Sequence, residues 1–200
     1  MIRKKLYRAI ANRTPPFRHL LVSGLLALSA ITNFLLVGKV RELRSTITLL
    51  KSEQSSTPGT RLPPLTAQDM SGQNVTIRFE EAQVPTLLYV FSPSCGWCKK
   101  NEDNISSLAS QTGGNVRIIG LSLSPDGLVE YVAHRFPPDK VIKPDSRTMT
   151  AYKLAGTPET ILVSWEGVVL KVWKGAYGES IQRELEAYFH VKLPGLRQAS

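Results

Sequence analysis

The sequence predicts an α/β fold, a central mixed sheet flanked by helices, behind a single apolar helix near the N-terminus. Between residues 86 and 154, short β-branched and aromatic runs alternate with helix-like stretches. Two strand-like runs follow, separated by a turn at Glu166 and Gly167, which is typical of a β-hairpin. An amphipathic helix completes the pattern, so we expect an α/β sandwich.

The individual elements follow from their apolar patterns. Residues 86–91 are an apolar, β-branched and aromatic run that indicates a buried strand. Residues 98–110 place Ile105, Leu108 and Ala109 at helical spacing. The other predicted elements are strands at 116–123, 160–165 and 168–173, an extended piece at 140–143, and helices at 126–136, 146–154 and 179–189. The domain they form covers residues 61–193, which suffices for one core.

The only two cysteines of the 200-residue chain, Cys95 and Cys98, are separated by two residues at the start of a predicted helix. This spacing allows one disulfide between them. It also places the first sulfur over the unpaired N–H groups of the helix N-terminus, whose partial positive charge favours thiolate. Thiolate is the form that attacks a disulfide, so the pair predicts a redox-active site. We expect Cys95 to be the nucleophile and Cys98 the resolving thiol.

Other interpretations of the two cysteines stay open. A zinc site would need at least three ligands, yet His19, His134 and His190 lie far apart, so zinc would require two chains to pool their pairs. An inert structural disulfide would close a very small loop and stabilise the fold little. Two free buried cysteines would fit poorly beside Gly96, Lys99 and Lys100. We expect no metal and no organic cofactor.

Three separated segments carry a resemblance to a known family. They are Leu62–Val75, the motif Cys95-Gly-Trp-Cys98 within Ser-Pro-Ser-Cys-Gly-Trp-Cys-Lys-Lys, and Tyr152–Ile161. Together they resemble the membrane-anchored thioredoxin-like proteins of the TlpA/ResA group, which include cytochrome c maturation reductants. The motif is especially similar to that of the MauD proteins of methylamine dehydrogenase maturation. The resemblance covers roughly residues 59–191 and implies a thioredoxin-like fold.

The resemblance also implies how the site is completed. In the family, a loop with a cis-proline faces the active-site disulfide, and here that loop contains Thr157 and Pro158. A cis Thr157–Pro158 bond is expected to expose the Thr157 backbone to an extended client segment. Trp97 is expected to add apolar contact to the client.

The sequence departs from the family at the proton acceptor. Many relatives have a carboxylate near the buried cysteine, but here the strand position six residues before Cys95 is Tyr89. Glu102 and Asp103 are expected on a solvated helix face, and Glu159, which follows Pro158, is a candidate for a place near the site. The acceptor for the Cys98 proton is therefore not assigned.

The N-terminal part predicts a membrane location. Residues 20–38 carry no charge and are long enough to form a transmembrane helix. A cleaved signal peptide, with a small-x-small site at Ala27-Leu28-Ser29, is the competing interpretation. Six basic residues and no acidic one precede the span, so residues 1–19 are expected in the cytoplasm and the rest outside it.

The basic charge belongs to the anchor and its flanks. Residues 1–51 hold ten Lys or Arg and one acid, and residues 52–200 hold fifteen basic and fifteen acidic residues. The folded part has no net charge, so nothing in the composition calls for nucleic acid as a partner.

Residues 39–60 are expected to be a stalk and a linker. Leu36, Val40, Leu43, Ile47 and Leu50 recur at coiled-coil spacing for about two heptads, which favours a helical stalk and allows weak dimerisation. Residues 54–60 then read as a flexible linker. Residues 194–200 are a tail.

These observations predict a membrane-tethered thiol–disulfide oxidoreductase in the periplasm or its extracytoplasmic equivalent. Its expected partner is an exported client protein, whose disulfide Cys95 attacks and Cys98 releases. As a reductant it would take electrons from a membrane donor of the DsbD/CcdA kind, which is implied by the resemblance alone. The alternatives are a thiol oxidant, or an assembly factor or redox-linked chaperone for one exported enzyme.

Overall fold

The structure, a computed structural model, describes residues 16–53, 56–135 and 140–196. It divides the chain into two units, residues 1–51 and 52–200. Predictions that fall on residues 1–15, 54–55, 136–139 and 197–200 lie outside the described residues.

The described part of the first unit is one continuous helix, α1 (Pro16–Glu53), whose last two residues fall in the second unit. It contains the predicted span and continues through the predicted stalk. Its segment Leu21–Glu42 has a mean hydropathy of 2.0 and is not buried against any other part of the structure. By length and composition, this is the single helix among the described residues that is able to cross a membrane.

The second unit is built on a seven-stranded mixed sheet in the order β2-β1-β5-β4-β3-β6-β7. The strands are β1 (Leu65–Gln68), β2 (Asn74–Ile77), β3 (Thr86–Phe91), β4 (Arg117–Ser122), β5 (Lys140–Pro144), β6 (Glu159–Val163) and β7 (Val169–Lys174). Strand β4 runs parallel to both β3 and β5, whereas the remaining pairs are antiparallel. The predicted central mixed sheet is confirmed.

The helices of this unit are α2 (Gly96–Lys100), α3 (Glu102–Thr112), α4 (Leu128–Arg135), α5 (Ser146–Ala151) and α6 (Glu179–Phe189). All six residues of β3 are buried, and they alternate between two cores. Leu88 and Val90 belong to one core, and Leu87, Tyr89 and Phe91 belong to the other. Because side chains alternate across a strand, the sheet is covered on both faces, as the α/β sandwich requires.

The predicted helix at residues 98–110 is interrupted in the structure. Asn101 ends α2 and begins α3 with φ −95° and ψ −3°. Its side chain is completely buried and is held by groups distant in sequence, which fixes the break.

The flexible linker predicted at residues 54–60 is wrong for its described part, since residues 56–60 are bound to the domain. Ser56 is buried, and its hydroxyl donates to the carbonyl of Tyr152 at 2.7 Å. The Gly59 N–H donates to the Val169 carbonyl at 2.8 Å, and the Val169 N–H donates to the Thr60 carbonyl at 2.8 Å.

The helix predicted at residues 146–154 ends earlier, at Ala151. Lys153 has a φ of 51°, so the backbone leaves the right-handed region there. The Leu154 N–H reaches back to the Met149 carbonyl at 3.0 Å and the Lys153 N–H to the Thr150 carbonyl at 3.1 Å. Bonds of this kind satisfy the last carbonyls of a helix and terminate it.

Candidate active site

The two cysteines lie where the central strand β3 passes into helix α2. The Cys95 N–H donates to the Ser92 carbonyl at 3.0 Å, which closes the turn after β3. Cys95 is the N-cap of α2, and its sulfur accepts a hydrogen bond from the Cys98 N–H at 3.1 Å. A capping sulfur that accepts a backbone N–H is in the position where negative charge on it is stabilised. Cys95 and Cys98 form a disulfide in the structure.

The two sulfurs differ in their access to solvent. Cys98 is fully buried in the core that contains Tyr89 and Phe91, whereas Cys95 is only partly buried. A reagent or protein can therefore approach Cys95 while Cys98 is reached only through it.

Trp97, between the two cysteines, forms an exposed surface beside them. It is 59% exposed, and the Lys100 ammonium lies 5.0 Å from the centre of its ring. A large aromatic side chain held at the surface next to a reactive sulfur is suited to apolar contact with another molecule.

Behind Cys98, Asn101 joins three parts of the fold. Its backbone N–H donates to the Cys98 carbonyl at 3.0 Å. Its side-chain oxygen accepts from the Tyr177 N–H and from the Asn104 amide, each at 3.0 Å, and its own amide donates to the Tyr89 hydroxyl at 3.4 Å. Asn101 thus fixes the segment carrying Cys98 to strand β3 and to the loop before α6.

The Thr157–Pro158 bond is cis, as the resemblance implied. The register of the sheet pairs Glu159 of β6 with Val90 of β3, so the loop before β6 lies at the end of the sheet from which the cysteine turn emerges. The Pro158 carbonyl accepts from the Gly175 N–H at 2.8 Å, which holds the loop against the end of β7. The cysteine turn follows β3 and the cis-proline loop precedes β6, so both lie at the same end of two neighbouring antiparallel strands.

A hydroxyl pair links this loop to the network around Asn101. The Thr160 and Tyr177 hydroxyls are 2.8 Å apart, and both residues are fully buried. Since the Tyr177 N–H also bonds Asn101, a continuous set of hydrogen bonds runs from the Cys98 helix to the strand that follows Pro158.

Two acidic side chains near this end of the sheet are buried. Glu102 is 2% exposed and Glu159 is 5% exposed. The expectation that Glu102 lies on a solvated face is therefore wrong. On α3, Glu102 lies three residues before the core residue Ile105, so the two share a helix face, and this spacing is visible in the sequence.

The buried tyrosines of this region favour their neutral form. Burial raises the pKa of Tyr89, the hydrogen bond from Asn101 opposes the rise, and the charge of Glu102 adds to it. Burial also raises the pKa of Tyr177, and the hydrogen bond with Thr160 opposes it.

A cleft of about 340 Å³ opens beside the cysteine turn. Its lining comes from the turn, from α2 and from the start of α4: Pro93, Ser94, Lys99, Asp126, Gly127, Glu130 and Tyr131. Within the described ranges, no group of three or more His, Cys, Asp or Glu side chains is arranged to hold a metal ion.

Comparison with known structures identifies the fold. The chain is similar to the thioredoxin domain of a thiol-disulfide oxidoreductase from Bacteroides vulgatus, with a TM-score of 0.52 and 18% identity over 68% of this chain and 99% of that one. It is also similar to a protein named as the thiol:disulfide interchange protein DsbE from Chlorobium tepidum, with a TM-score of 0.54 and 17% identity over 68% and 99% of the two chains. No family model and no curated protein matches the sequence.

A third similar structure is a thiol:disulfide interchange protein from a Bacteroides species, with a TM-score of 0.50 and 16% identity over 68% of this chain and 92% of that one. The chain therefore has a thioredoxin-like fold behind an N-terminal apolar helix, as predicted. At the end of the sheet where its two cysteines lie, the chain combines a Cys-x-x-Cys disulfide with a cis-proline loop.

Proposed function

We propose that this protein is a membrane-tethered thiol–disulfide oxidoreductase of the TlpA/ResA-like group. The observation that carries the proposal is the asymmetry of the Cys95–Cys98 pair, with one sulfur accessible at a helix start and the other buried behind it. This asymmetry suits two successive thiol–disulfide exchanges better than a passive cross-link.

In the reducing direction, the Cys95 thiolate attacks one sulfur of a client disulfide. The client's other sulfur leaves as a thiolate and takes up a proton, and a mixed disulfide joins Cys95 to the client. The Cys98 thiolate then attacks the Cys95 sulfur, and the client leaves as a dithiol. The protein retains the Cys95–Cys98 disulfide, so two electrons have passed from the protein to the client.

The client is proposed to lie as an extended segment along the Thr157–Pro158 loop. Thr157 is partly exposed and precedes β6, and we expect its backbone groups to pair with a strand-like segment of the client. Trp97 provides an exposed apolar surface beside Cys95. Backbone pairing would orient the client disulfide, and Trp97 would contact the side chains that flank it.

The tether is proposed to be α1, with residues 1–19 in the cytoplasm and the thioredoxin-like domain in the periplasm or its equivalent. The proposal is supported by the length and hydropathy of Leu21–Glu42 and by the basic residues that precede it. An exported domain meets client proteins whose cysteines have been oxidised.

We further propose that electrons reach the disulfide from a membrane donor of the DsbD/CcdA type, and that the clients include proteins of cytochrome c maturation or an enzyme handled in the manner of MauD. The form of the motif, Ser-Pro-Ser-Cys-Gly-Trp-Cys-Lys-Lys, supports the MauD similarity. The accessible Cys95 favours redox exchange over a purely structural role as an assembly factor.

Trapping of the mixed disulfide tests the proposed roles. In membranes from cells that produce full-length Cys98→Ser, a client should remain bound to Cys95 through a disulfide that dithiothreitol releases. The matched variant Cys95→Ser should trap little, because Cys98 is buried. Equal trapping by both variants, or client reduction that survives Cys95→Ser, would contradict the assignment.

A second experiment tests the tether. A reporter that is active only outside the cytoplasm should be active when fused after Ser200, and membrane fractions should retain a chain that includes Met1. Recovery of a soluble chain that begins near Ala30 would show that the apolar helix is a cleaved signal peptide.

A further inference from the structure

Helix α1 is longer than a membrane span requires. The helix is continuous over 38 residues, from Pro16 to Glu53. At about 1.5 Å per residue it is about 57 Å long, which is well beyond the roughly 30 Å of a hydrocarbon core. The segment Leu21–Glu42 is unburied. A partner that packs along the full length of this helix would therefore contact both the membrane-length segment and the stalk.

One heptad register runs through residues 22–50 of the helix. The a positions are Leu26, Asn33, Val40 and Ile47, and the d positions are Val22, Ser29, Leu36, Leu43 and Leu50. Successive a and d residues are therefore separated by alternating intervals of three and four residues, without a break, for about four heptads. A repeat that is kept over this length keeps one face of the helix towards a partner helix.

The stalk distinguishes this face from the others. In residues 39–51 the four seam positions are Val40, Leu43, Ile47 and Leu50, and every other residue except Leu49 is charged or carries a hydroxyl group. β-Branched residues at a together with Leu at d favour two parallel strands. The stalk therefore has the pattern of a parallel two-stranded coiled coil.

In the apolar segment, polar groups mark the same face. The Asn33 amide donates to the Ser29 carbonyl at 2.9 Å and lies 3.5 Å from the Ser29 hydroxyl. Both residues are on the seam. The Asn33 side-chain oxygen accepts no hydrogen bond from the described residues, although an amide oxygen in hydrocarbon requires a donor.

These observations select a second copy of the chain as the partner. We propose that α1 pairs in parallel with α1 of a second copy, along a seam that continues from the membrane into the stalk, with the two Asn33 amides bonded to each other. An amide carries both a donor and an acceptor, so identical amides at the same depth satisfy one another. A polar Asn at a single a position also fixes register and limits the assembly to two chains.

The flanking charges modulate the pairing. In this register Lys39 occupies a g position and Arg44 the following e position, so in a parallel pair Lys39 of one copy lies opposite Arg44 of the other. Their charges have the same sign. Lys39 is partly neutralised by Glu42 of its own helix, at 2.9 Å. The dimer is therefore strengthened by salt and by reversal of the charge at position 44.

Cysteine cross-linking across the seam tests the arrangement. Full-length chains that carry Cys95→Ser and Cys98→Ser receive one new cysteine each and are placed in phosphatidylcholine vesicles with a mild oxidant. Leu36→Cys, Val40→Cys and Leu43→Cys should form disulfide-linked dimers. Leu35→Cys, Gly38→Cys and Arg41→Cys, on the opposite face, should not. Equal cross-linking on both faces, or none at the seam, would overturn the proposal.

The role of Asn33 is tested by fluorescence resonance energy transfer between labelled full-length chains in the same vesicles. The dimer fraction is followed as the ratio of protein to lipid is lowered. Asn33→Leu should lower the dimer fraction several-fold, and Asn33→Gln should retain it. In the matched control, Asn33→Leu is combined with Leu35→Asn, which keeps the composition and moves the amide off the seam. This double variant should dimerise as poorly as Asn33→Leu.

If the double variant dimerises like wild type, the proposed interface is wrong. The same conclusion follows if the Asn33→Leu chain dimerises like wild type. Arg44→Glu should raise the dimer fraction, and a decrease would contradict the parallel register. Because these chains lack both active-site thiols, their oligomeric state is read independently of the proposed redox function.

Discussion

Cys95 and Cys98 are three residues apart, yet their surroundings are opposite in kind. Cys95 is partly exposed, and its hydrogen bonds within the described residues involve only the neighbouring turn and the helix start. Cys98 is fully buried and precedes Asn101, whose bonds reach strand β3 and the loop before α6. The first sulfur is accessible from solvent, and the second is positioned by the interior of the domain.

This difference separates two kinds of substitution. Changes on the Cys98 side remove buried hydrogen bonds and should act on stability as well as on the exchange. Changes on the Cys95 side alter a surface and should act mainly on client contact.

The largest effect on stability is expected from Asn101→Leu. It leaves the Tyr177 N–H and the Asn104 amide without their acceptor inside the protein. Each orphaned buried group costs about 1–3 kcal/mol, so the free energy of unfolding should fall by roughly 2–6 kcal/mol. Urea unfolding of the full chain in detergent, followed by tryptophan fluorescence, measures it. Asn115→Leu, at an exposed turn residue, is the matched control and should change little. A similar loss of stability in both variants would show that the buried hydrogen bonds of Asn101 are not the cause.

The next effect concerns the thiols of the reduced protein. Iodoacetamide should modify Cys95 at least about tenfold faster than Cys98, because Cys95 is the accessible, helix-capping thiol and Cys98 becomes accessible only through local opening. Mass spectrometry of the digested protein after timed quenching gives both rates. Comparable rates would mean that burial does not separate the two thiols.

Alkaline pH should weaken the fold on the Cys98 side. The pKa values of Tyr89 and Tyr177 are raised by burial above the ordinary value of 10.0. Below pH 10 these tyrosines are neutral in both the folded and the unfolded chain. Above it only the unfolded chain loses their protons. Stability should therefore be full below pH 10 and fall as the pH rises, by about 1.4 kcal/mol per pH unit for each tyrosine.

Tyr177→Phe separates this contribution from other alkaline effects. In this variant the free energy of unfolding should fall less steeply with pH, because Tyr177 no longer contributes to the decrease. Urea unfolding of the full chain between pH 9 and 11 measures this slope. It should also lose about 1 kcal/mol at neutral pH with the Thr160 hydrogen bond. Tyr188→Phe, at an exposed tyrosine, is the control. An unchanged slope in Tyr177→Phe would show that Tyr177 does not contribute.

The smallest effect on stability is expected from Trp97→Ala. Trp97 is 59% exposed and its one ring contact in the described structure is with Lys100, so the free energy of unfolding should change by about 0.5–1 kcal/mol or less. The KM for a protein client should rise, because the apolar surface beside Cys95 is lost. A large loss of stability with an unchanged KM would reverse the roles assigned to the two sides.

Local patterns predicted the elements that surround the site. Strand β3 and helix α6 were predicted with their observed bounds, because each has a clear apolar run or stripe. The motif and its position between a strand and a helix were also evident from the sequence. The cis Thr157–Pro158 bond was implied by family resemblance, since its immediate neighbours contain no signal that separates cis from trans.

The features that were missed depend on partners distant in sequence. The break at Asn101 is fixed by Tyr177, which is 76 residues further along the chain. Ser56 belongs to the domain because its hydroxyl meets the Tyr152 carbonyl, 96 residues away. The polar composition of residues 54–60 resembles that of a linker, and composition alone does not reveal such a bond.

The most direct test of the central claim is the redox equilibrium of the Cys95–Cys98 pair in the full-length protein. The chain is equilibrated with a series of reduced and oxidised glutathione mixtures, the free thiols are alkylated, and the masses are recorded. We predict one reversible two-electron transition in which both cysteines are oxidised together, with a potential near −270 mV for a reductant or near −120 mV for an oxidant. A disulfide that stays closed throughout the series, or two cysteines that are oxidised independently, would contradict the proposed function.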